Sequence, residues 1–186
     1  KYRLCTPWAA ISPKGAEAVL LHEDKYFFTH PGVNPVSLAR AFWHHVVGGG
    51  RGGASTLTMQ LVRLKYNLHT RSYGGKLWQM LQALRMELHY SKEDILEAYL
   101  NLAPYGGNIE GVGAASQIYV GGSADILSLL EALTLAVIPQ SPYARTPGHS
   151  TLSNEALQQA RLRVFSAWEE KHPEDAQVEA LLQRPM

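Results

Sequence analysis

The sequence has little net charge, a single cysteine and no long apolar run. A net charge of +1 over 186 residues gives no support for non-specific nucleic-acid binding. Cys5 cannot form an intrachain disulfide alone, which excludes a disulfide-stapled scaffold. The longest nearly apolar run, residues 126–138, is shorter than the about 20 residues that cross a bilayer, so we expect no transmembrane helix in this chain. Because the chain begins at Lys1 without an initiator Met or a signal-like segment, we expect it to be a piece of a longer protein.

Apolar residues are plentiful and recur mainly with helical spacing. They make up 46% of the chain, against 18% charged residues, so a packed core is expected. The spacing predicts helices at 16–28, 36–47, 55 or 56–66, 76–89, 95–101, 124–137, 154–171 and 176–183, of which the last two should be exposed. Five glycines in residues 48–53 predict a mobile loop. Since no internal repeat and no clear alternating strand is present, the predicted class is all-α.

One carboxylate, Glu23, falls within an apolar helical stripe. On a continuous helix it would share a face with Ala16, Leu20, Phe27 and His30. A buried carboxylate costs several kcal/mol unless it is paired or its pKa rises, and a raised pKa suits a general base. A glutamate that is hydrogen-bonded to a neighbouring backbone group or histidine explains the spacing equally well. Periodicity alone leaves both interpretations open.

A second polar cluster follows the glycine run. Thr56, Gln60 and Arg63 would lie on one helix face, opposite an apolar face. The free backbone N–H groups of Ser55 and Thr56, together with the helix dipole, would suit a phosphate or oxyanion. An ordinary N-cap is the alternative, and it is the commoner one for such a segment alone.

Several segments together resemble the bacterial peptidoglycan glycosyltransferases. Residues 23–32 (EDKYFFTHPG) are similar to the first motif of that family, E-D-x-x-F-x-x-H-x-G, and residues 53–60 (GASTLTMQ) to the second. Residues 71–79 (RSYGGKLWQ) correspond to the third motif, and residues 91–101, 106–119 and 130–136 to later motifs that are mainly structural. The resemblance covers about residues 16–142 in the right order and spacing.

The resemblance implies a role for each matching residue. Glu23 would deprotonate the acceptor 4-hydroxyl, with Asp24, Phe27 and His30 as its support. Ser55, Thr56 and Gln60 would line the substrate cleft. The cations Arg63, Arg71 and Lys76 would contact the lipid diphosphate, Arg63 standing where the family has Lys.

The chain departs from the family pattern at three positions. Met59, Gly75 and Gln79 stand where most members have Gln, Arg and Glu. Gln79 can orient a hydroxyl or a water molecule, but it cannot hold charge or accept a proton. Glu87 lies about 12 Å further along the same helix, so it is a poor substitute. With these three residues, the sequence resembles the branch of the family called penicillin-binding protein 1C.

The family resemblance also implies a fold and a setting. The fold would be a lysozyme-like, two-lobed, all-α domain, with the glycosyltransferase core at 1–150. Residues 151–186 would be a helical extension or the start of a linker to a fused transpeptidase domain. The partners would be lipid II, the growing glycan strand and the periplasmic side of the bacterial inner membrane, which an apolar collar at 41–47, with Phe42 and Trp43, would touch.

The implied reaction is inverting transfer without a dedicated cofactor, although Mg or Mn could accompany the substrate diphosphate. Two other classes remain open on the sequence. A lysozyme-like lytic enzyme would act on finished peptidoglycan, and a non-catalytic module would only bind glycan or lipid II.

Overall fold

The structure of the chain is a computed structural model that describes residues 1–47, 53, 55–68, 70 and 72–182, without the side chains of residues 42, 45 and 46. The loop predicted at 48–53 therefore lies, apart from Gly53, outside the described residues, as does Arg71. The helices are α1 (Pro13–Glu23), α2 (Pro35–Val47), α3 (Leu57–Tyr66), α4 (Tyr73–Glu87), α5 (Lys92–Leu102), α6 (Val112–Ala115), α7 (Leu129–Val137), α8 (Thr151–Glu169) and α9 (Glu179–Leu182).

Helices dominate the described part of the chain, so the predicted all-α class is confirmed. A π-helical segment, Ser116–Val120, follows α6, and short 3-10 turns occur at Trp8–Ala10, Phe27–Thr29, Pro142–Ala144 and Pro173–Val178. Within the described residues, the strands are the two-residue segments β1 (Tyr2–Arg3) and β2 (Ile109–Glu110), which pair in parallel. The Glu110 carboxylate, at the end of β2, forms ion pairs with Lys1 and Arg3.

The chain divides into two compact units. The first unit contains residues 1–25 and 100–186, and the second contains residues 26–99. The predicted boundary at residue 150 stays a prediction. Residues on both sides of it belong to the first unit, where α8 packs against α7 and α1.

In the first unit, α7 lies in the core and is closed at its N-terminus by a capping box. Ser128 and Glu131 exchange side-chain and backbone hydrogen bonds, with the Glu131 carboxylate 2.8 Å from the Ser128 nitrogen. This cap starts the helix at residue 129, five residues after the predicted start. Glycine is required at position 113, because a Cβ there would collide with the Thr6 hydroxyl. Small residues therefore allow the close packing around α6.

The prediction that both C-terminal helices are exposed was wrong for α8. Its Leu157, Ala160, Val164 and Trp168 are buried at spacings of three and four residues. One apolar residue per turn, one of them only an alanine, is easily missed among the intervening polar residues. Residues 176–183 do not form one helix, because a 3-10 turn at Pro173–Val178 precedes the four-residue α9.

In the second unit, α3 and α4 pack together through buried side chains that include Leu57, Leu61, Val62 and Ala83. The start of α3 is as predicted, because the Thr56 hydroxyl accepts a hydrogen bond from the Met59 nitrogen at 3.2 Å. The following helix, α4, begins three residues earlier than predicted, at a Ser72 cap.

The predicted continuous helix over residues 16–28 was wrong. The first helix, α1, ends at Glu23, and the next residue, Asp24, leaves the helical region with φ −161° and ψ 77°. Phe27 lies in a separate 3-10 turn, where it is buried and its ring centroid is 4.3 Å from the Lys92 ammonium. Tertiary contacts of Phe27 have overridden the helical spacing. Glu23, Phe27 and His30 therefore do not share one helix face.

Candidate active site

Glu23 is the last residue of α1 and is half-buried, with its Oε1 atom inaccessible to solvent. The start of the helix is fixed by Pro13 in the first turn and by the Ser12 side chain, which accepts from the Gly15 nitrogen. The body of α1 packs against α7 and α8 in the first unit. The position of the carboxylate is thus determined by a short, well-packed helix.

Two residues that the sequence did not single out, Tyr105 and Arg145, are close enough to Glu23 for its charge to act on them. Tyr105 is completely buried, and burial, followed by the negative charge of Glu23, raises the pKa of its phenol. Arg145 is 9% exposed, and its guanidinium donates to the Val137 carbonyl at 2.7 Å and to Gln140 Oε1 at 3.0 Å. Burial and the nearby Arg163 lower the pKa of Arg145, whereas the charge of Glu23 opposes that shift.

A neutral histidine completes this cluster. His22 Nε2 lies 3.4 Å from Arg145 Nη1. Burial, followed by the charges of Arg145 and Arg163, lowers the pKa of His22 to about 4, so the imidazole is uncharged near neutrality. Because His22 is neutral, Arg145 carries the positive charge of this cluster.

Asp24 is buried, with 8% of its surface exposed, and its backbone N–H donates to the Leu20 carbonyl at 2.8 Å. It continues the end of α1 and belongs, with Glu23, to the first unit. The remaining predicted site residues belong to the second unit. The role of Asp24 in substrate binding stays a prediction.

Phe27 and His30 lie inside the second unit rather than on its surface, with 1% and 6% of their area exposed. The Gly32 nitrogen donates to His30 Nδ1 at 3.2 Å, and the Thr56 hydroxyl donates to the Gly32 carbonyl at 2.5 Å. Gly32 has φ +89°, and a Cβ there would lie 2.7 Å from the Ala83 carbonyl oxygen. Phe27 and His30 of the first motif are therefore buried, and its Gly32 is joined to the start of α3 by Thr56. Direct contact of Phe27 and His30 with substrate stays a prediction.

An ion pair between Lys92 and Glu87 stabilises the segment that contains His30. Lys92 Nζ lies 2.6 Å from Glu87 Oε2 and donates to the His30 carbonyl at 2.7 Å. Glu87 Oε1 accepts from the Thr58 hydroxyl at 2.5 Å. The Glu87 side chain is only 8% exposed. Glu87 is therefore engaged by Lys92 and Thr58. That it is a poor replacement for the motif glutamate stays a prediction.

Lys76 is held by neutral partners. Its ammonium donates to Ser55 Oγ at 2.5 Å and to Gln79 Oε1 at 3.1 Å. Gln79 is 1% exposed, and its amide nitrogen donates to the Met59 carbonyl at 2.6 Å. Burial, followed by the charge of Arg63, lowers the pKa of Lys76. Gln79 thus orients a cation and links α4 to α3, whereas the sequence had suggested a hydroxyl or a water molecule as its partner.

The other predicted site residues are distributed along α3 and its start. Ser55 and Arg63 are exposed and Gln60 is half-buried. Among the residues that the structure describes, His, Cys, Asp and Glu do not gather in groups of three or more that could hold a metal ion. In the same part of the chain, no helix is long and apolar enough to cross a membrane.

The helical architecture and the motif residues agree with one family of enzymes. The family model described as transglycosylase matches residues 1–168, and the chain belongs to this family. It is similar to penicillin-binding protein 1C of Escherichia coli (strain K12), with 41% identity over 179 residues that cover 94% of this chain and 23% of that protein. The predicted resemblance to the family and to its 1C branch is confirmed.

Two further relatives show how much of a longer protein the chain represents. Penicillin-binding protein 1F of Bacillus subtilis (strain 168) is 34% identical over 70% of this chain and 18% of its own length. A biosynthetic peptidoglycan transglycosylase of Marinomonas sp. (strain MWYL1) is 39% identical over 72% of this chain and 60% of its own length. The chain therefore spans less than a quarter of the penicillin-binding relatives named here.

Proposed function

We propose that this chain is a peptidoglycan glycosyltransferase that polymerises lipid II into β-1,4 glycan strands, with Glu23 as the general base. The observation that carries the proposal is the surroundings of Glu23 at the end of α1. Its Oε1 atom is buried, and its charge acts on a buried phenol, Tyr105, and on a buried cation, Arg145. A relative of 39% identity is named for biosynthetic peptidoglycan transglycosylation, which supports the same activity.

In the proposed step, Glu23 takes the proton of the acceptor 4-hydroxyl as that oxygen attacks the anomeric carbon of the donor. The new bond joins the 4-oxygen to this carbon, and the bond from the carbon to the lipid diphosphate breaks with inversion. Because the diphosphate leaves as a stable anion, no second carboxylic acid is needed to protonate it. The presence of Gln79 in place of a glutamate is therefore compatible with the chemistry.

The departing diphosphate would be stabilised by the cations of the second unit. Lys76 is positioned by Ser55 and Gln79 without a carboxylate among these partners, so its charge remains available for an anion. Arg63 adds a second positive charge close enough to lower the pKa of Lys76. The resemblance assigns Arg71 to the same group. The proposal includes no dedicated metal ligand, and Mg or Mn would enter only with the diphosphate.

The lipid substrate implies work at the periplasmic face of the bacterial inner membrane, and the family resemblance implies a fused transpeptidase domain. Support for a membrane-facing surface comes from the second unit. Trp43 and Val47 of α2 are 67% and 62% exposed, while Leu77 and Leu88, in and just after α4, are 56% and 82% exposed. We propose that these side chains contribute to the apolar surface that contacts the membrane. Phe42, the other residue of the predicted collar, has no described side chain.

The test compares Glu23→Gln with Glu17→Gln in polymerisation of lipid II. Glu17 is a matched control, because it lies on the same helix but pairs with Lys171 and His172. Loss of the base should lower the rate by about a hundredfold or more, whereas the control should retain activity. Equal activity of Glu23→Gln and wild type would contradict the base assignment.

The same assay separates the other functional classes. Finished peptidoglycan is supplied in place of lipid II, and released sugar is measured. Sugar release without chain growth would favour the lytic enzyme. Binding of lipid II without either reaction in wild type would favour the non-catalytic module.

A further inference from the structure

A cavity in the second unit lies where α3 and α4 end, among residues to which the proposed reaction gives no role. It has a volume of about 360 Å³ and is lined by Tyr66, Gln82, Arg85, Met86, His89 and Tyr90. Tyr66 is the last residue of α3, and Tyr90 follows the end of α4. These two tyrosines are 50% and 53% exposed, so the cavity has aromatic walls that solvent reaches.

Two exposed cations accompany the tyrosine rings. The Lys65 ammonium lies 5.6 Å from the centroid of the Tyr66 ring and 5.5 Å from that of the Tyr90 ring. Arg85 lines the cavity itself, and the lining contains no acidic residue. In the described part of the chain, no carboxylate lies within ion-pair distance of Lys65 or Arg85. Internal ion pairs therefore do not neutralise the positive charge beside the cavity.

The helix ends at this cavity offer a purely structural explanation of the cations. The C-terminus of a helix carries partial negative charge, which Lys65 and Arg85 would stabilise. At the end of α4, however, backbone carbonyls already have donors. The Arg85 carbonyl accepts from His89 Nδ1 at 2.8 Å, and the Met86 carbonyl accepts from the Tyr90 nitrogen at 3.0 Å. The structural explanation also leaves the neighbouring apolar surface of α4 unexplained.

That surface is a row of exposed leucines. Their spacings are four, three and four residues, at Leu77, Leu81, Leu84 and Leu88, which follows α4. They are 56%, 50%, 38% and 82% exposed. At 3.6 residues per turn, Arg85 falls between this row and the face of α4 that lines the cavity. A leucine face bordered by cations is typical of a helix that lies at a membrane surface.

We propose that this cavity binds the phosphodiester headgroup of an anionic membrane lipid, with Lys65 and Arg85 as its cations and the leucine row against the acyl chains. A guanidinium presents parallel donors that match two phosphate oxygens. Tyrosine rings suit the boundary between headgroups and hydrocarbon, because one end of the side chain is apolar and the other polar. The proposal rests on the membrane contact included in the proposed function, and it adds the class of lipid that is bound.

The experiment measures sedimentation of the whole chain with vesicles, in the absence of lipid II. One vesicle type contains equal parts of phosphatidylglycerol and phosphatidylcholine, and the other contains phosphatidylcholine alone. Wild type should bind the mixed vesicles more tightly. Lys65→Met and Arg85→Gln should each weaken that binding by about fivefold and leave binding to phosphatidylcholine unchanged. Lys14→Met and Arg163→Gln are the matched controls, since both residues are exposed cations of the first unit, and each should change binding by less than about twofold.

Leu81→Ser tests the apolar part of the surface. Because the leucine would contact acyl chains in either vesicle, this variant should weaken binding to both vesicle types by a similar factor of about ten. Urea denaturation of each variant measures its stability separately. If Lys65→Met and Arg85→Gln lowered stability but bound mixed vesicles like wild type, the cations would serve only the helix ends, and the proposal would be overturned.

The remaining outcomes separate this proposal from the proposed function. Equal binding of wild type to both vesicle types would overturn the headgroup site but leave the membrane contact intact. Binding to neither vesicle type would contradict the membrane contact as well. Saturable binding of soluble glycerol phosphate without vesicle binding would show a site for a soluble anion, which also overturns the proposal. Because polymerisation is not measured, failure of the role assigned to Glu23 would leave these results interpretable.

Discussion

The charged residues of the proposed mechanism have different neighbours in the two units. In the first unit, the buried cation Arg145 is close enough to Glu23 for the charge of that carboxylate to oppose the lowering of the Arg145 pKa. In the second unit, the ammonium of Lys76 is held by Ser55 and Gln79, which are both neutral. In the proposed mechanism, a carboxylate beside Lys76 would compete with the diphosphate for the charge of the ammonium. The charges that are paired in the second unit serve the fold, and the pair of Glu87 and Lys92 is the clearest case.

The largest effect is expected for Lys92→Met, which removes the cationic partner of Glu87. The substitution leaves a carboxylate that is 8% exposed and removes the donor to the His30 carbonyl. Breaking one partner of a buried ion pair costs about 3–5 kcal/mol, so the free energy of unfolding should fall by that amount. Urea denaturation measures it.

The control for this prediction is the double substitution Lys92→Met with Glu87→Gln. An amide at position 87 needs no compensating charge, so the double variant should recover part of the lost stability. If Lys92→Met alone were as stable as wild type, the pair would not be the structural clamp of the second unit.

The next effect concerns His22, in the cluster around Glu23. Its pKa in the folded chain is lowered to about 4 from an ordinary 6.5, so the unfolded chain binds a proton more readily. Stability from neutral His22 is complete above pH 6.5 and is lost as the pH falls from 6.5 to 4. The shift corresponds to a loss of roughly 3 kcal/mol at the acid end. His22→Gln should flatten this part of the dependence of unfolding free energy on pH.

His149→Gln provides the comparison, because His149 is exposed in the same unit. Its profile should follow that of the wild type. If His22→Gln and wild type lost stability in parallel between pH 6.5 and 4, the neutral imidazole beside Arg145 would not be a source of acid sensitivity.

The sequence predicted a helix boundary correctly where a cap between residues close in the chain determines it. The start of α3 follows from the cap at Thr56, which the structure contains. By contrast, α5 begins at Lys92, three residues before the predicted start at residue 95. The end of α1 could not be predicted in this way. Phe27 continues the apolar spacing of that helix, but its burial beside Lys92 places it in a separate turn.

The surroundings of the candidate base were also beyond sequence reasoning. Arg145 lies in a turn more than a hundred residues after Glu23, and no motif marks it. Its effect on Glu23 arises from the packing of α1 against α7, near whose end Val137 accepts its hydrogen bond. Glu23 itself was identified by the motif, although the helix face that first drew attention to it is interrupted. In the structure, the Oε1 atom of Glu23 is buried, but the continuous apolar stripe that the sequence predicted is absent because α1 ends at Glu23.

The smallest effect is expected at the departure from the family pattern, for Gln79→Glu. The Gln79 amide donates to the Met59 carbonyl at 2.6 Å, and an ionised carboxylate has no donor for that acceptor. The other oxygen would still accept from Lys76, which offsets part of the loss. We expect the free energy of unfolding to fall by about 1–3 kcal/mol, as for a buried hydrogen bond left unmade.

The pH dependence of the stability of Gln79→Glu distinguishes the effect of the carboxylate charge from the effect of the missing hydrogen-bond donor to Met59. A protonated carboxyl can donate to the Met59 carbonyl, so the destabilisation of Gln79→Glu should grow as the pH rises through the pKa of the new group. Gln79→Met cannot donate at any pH, and its destabilisation should stay constant. If Gln79→Glu were as stable as wild type at pH 8, the Met59 carbonyl would not require an amide. A family-type glutamate would then fit this chain, and the neutral surroundings of Lys76 would be incidental rather than built into the packing of α3 against α4.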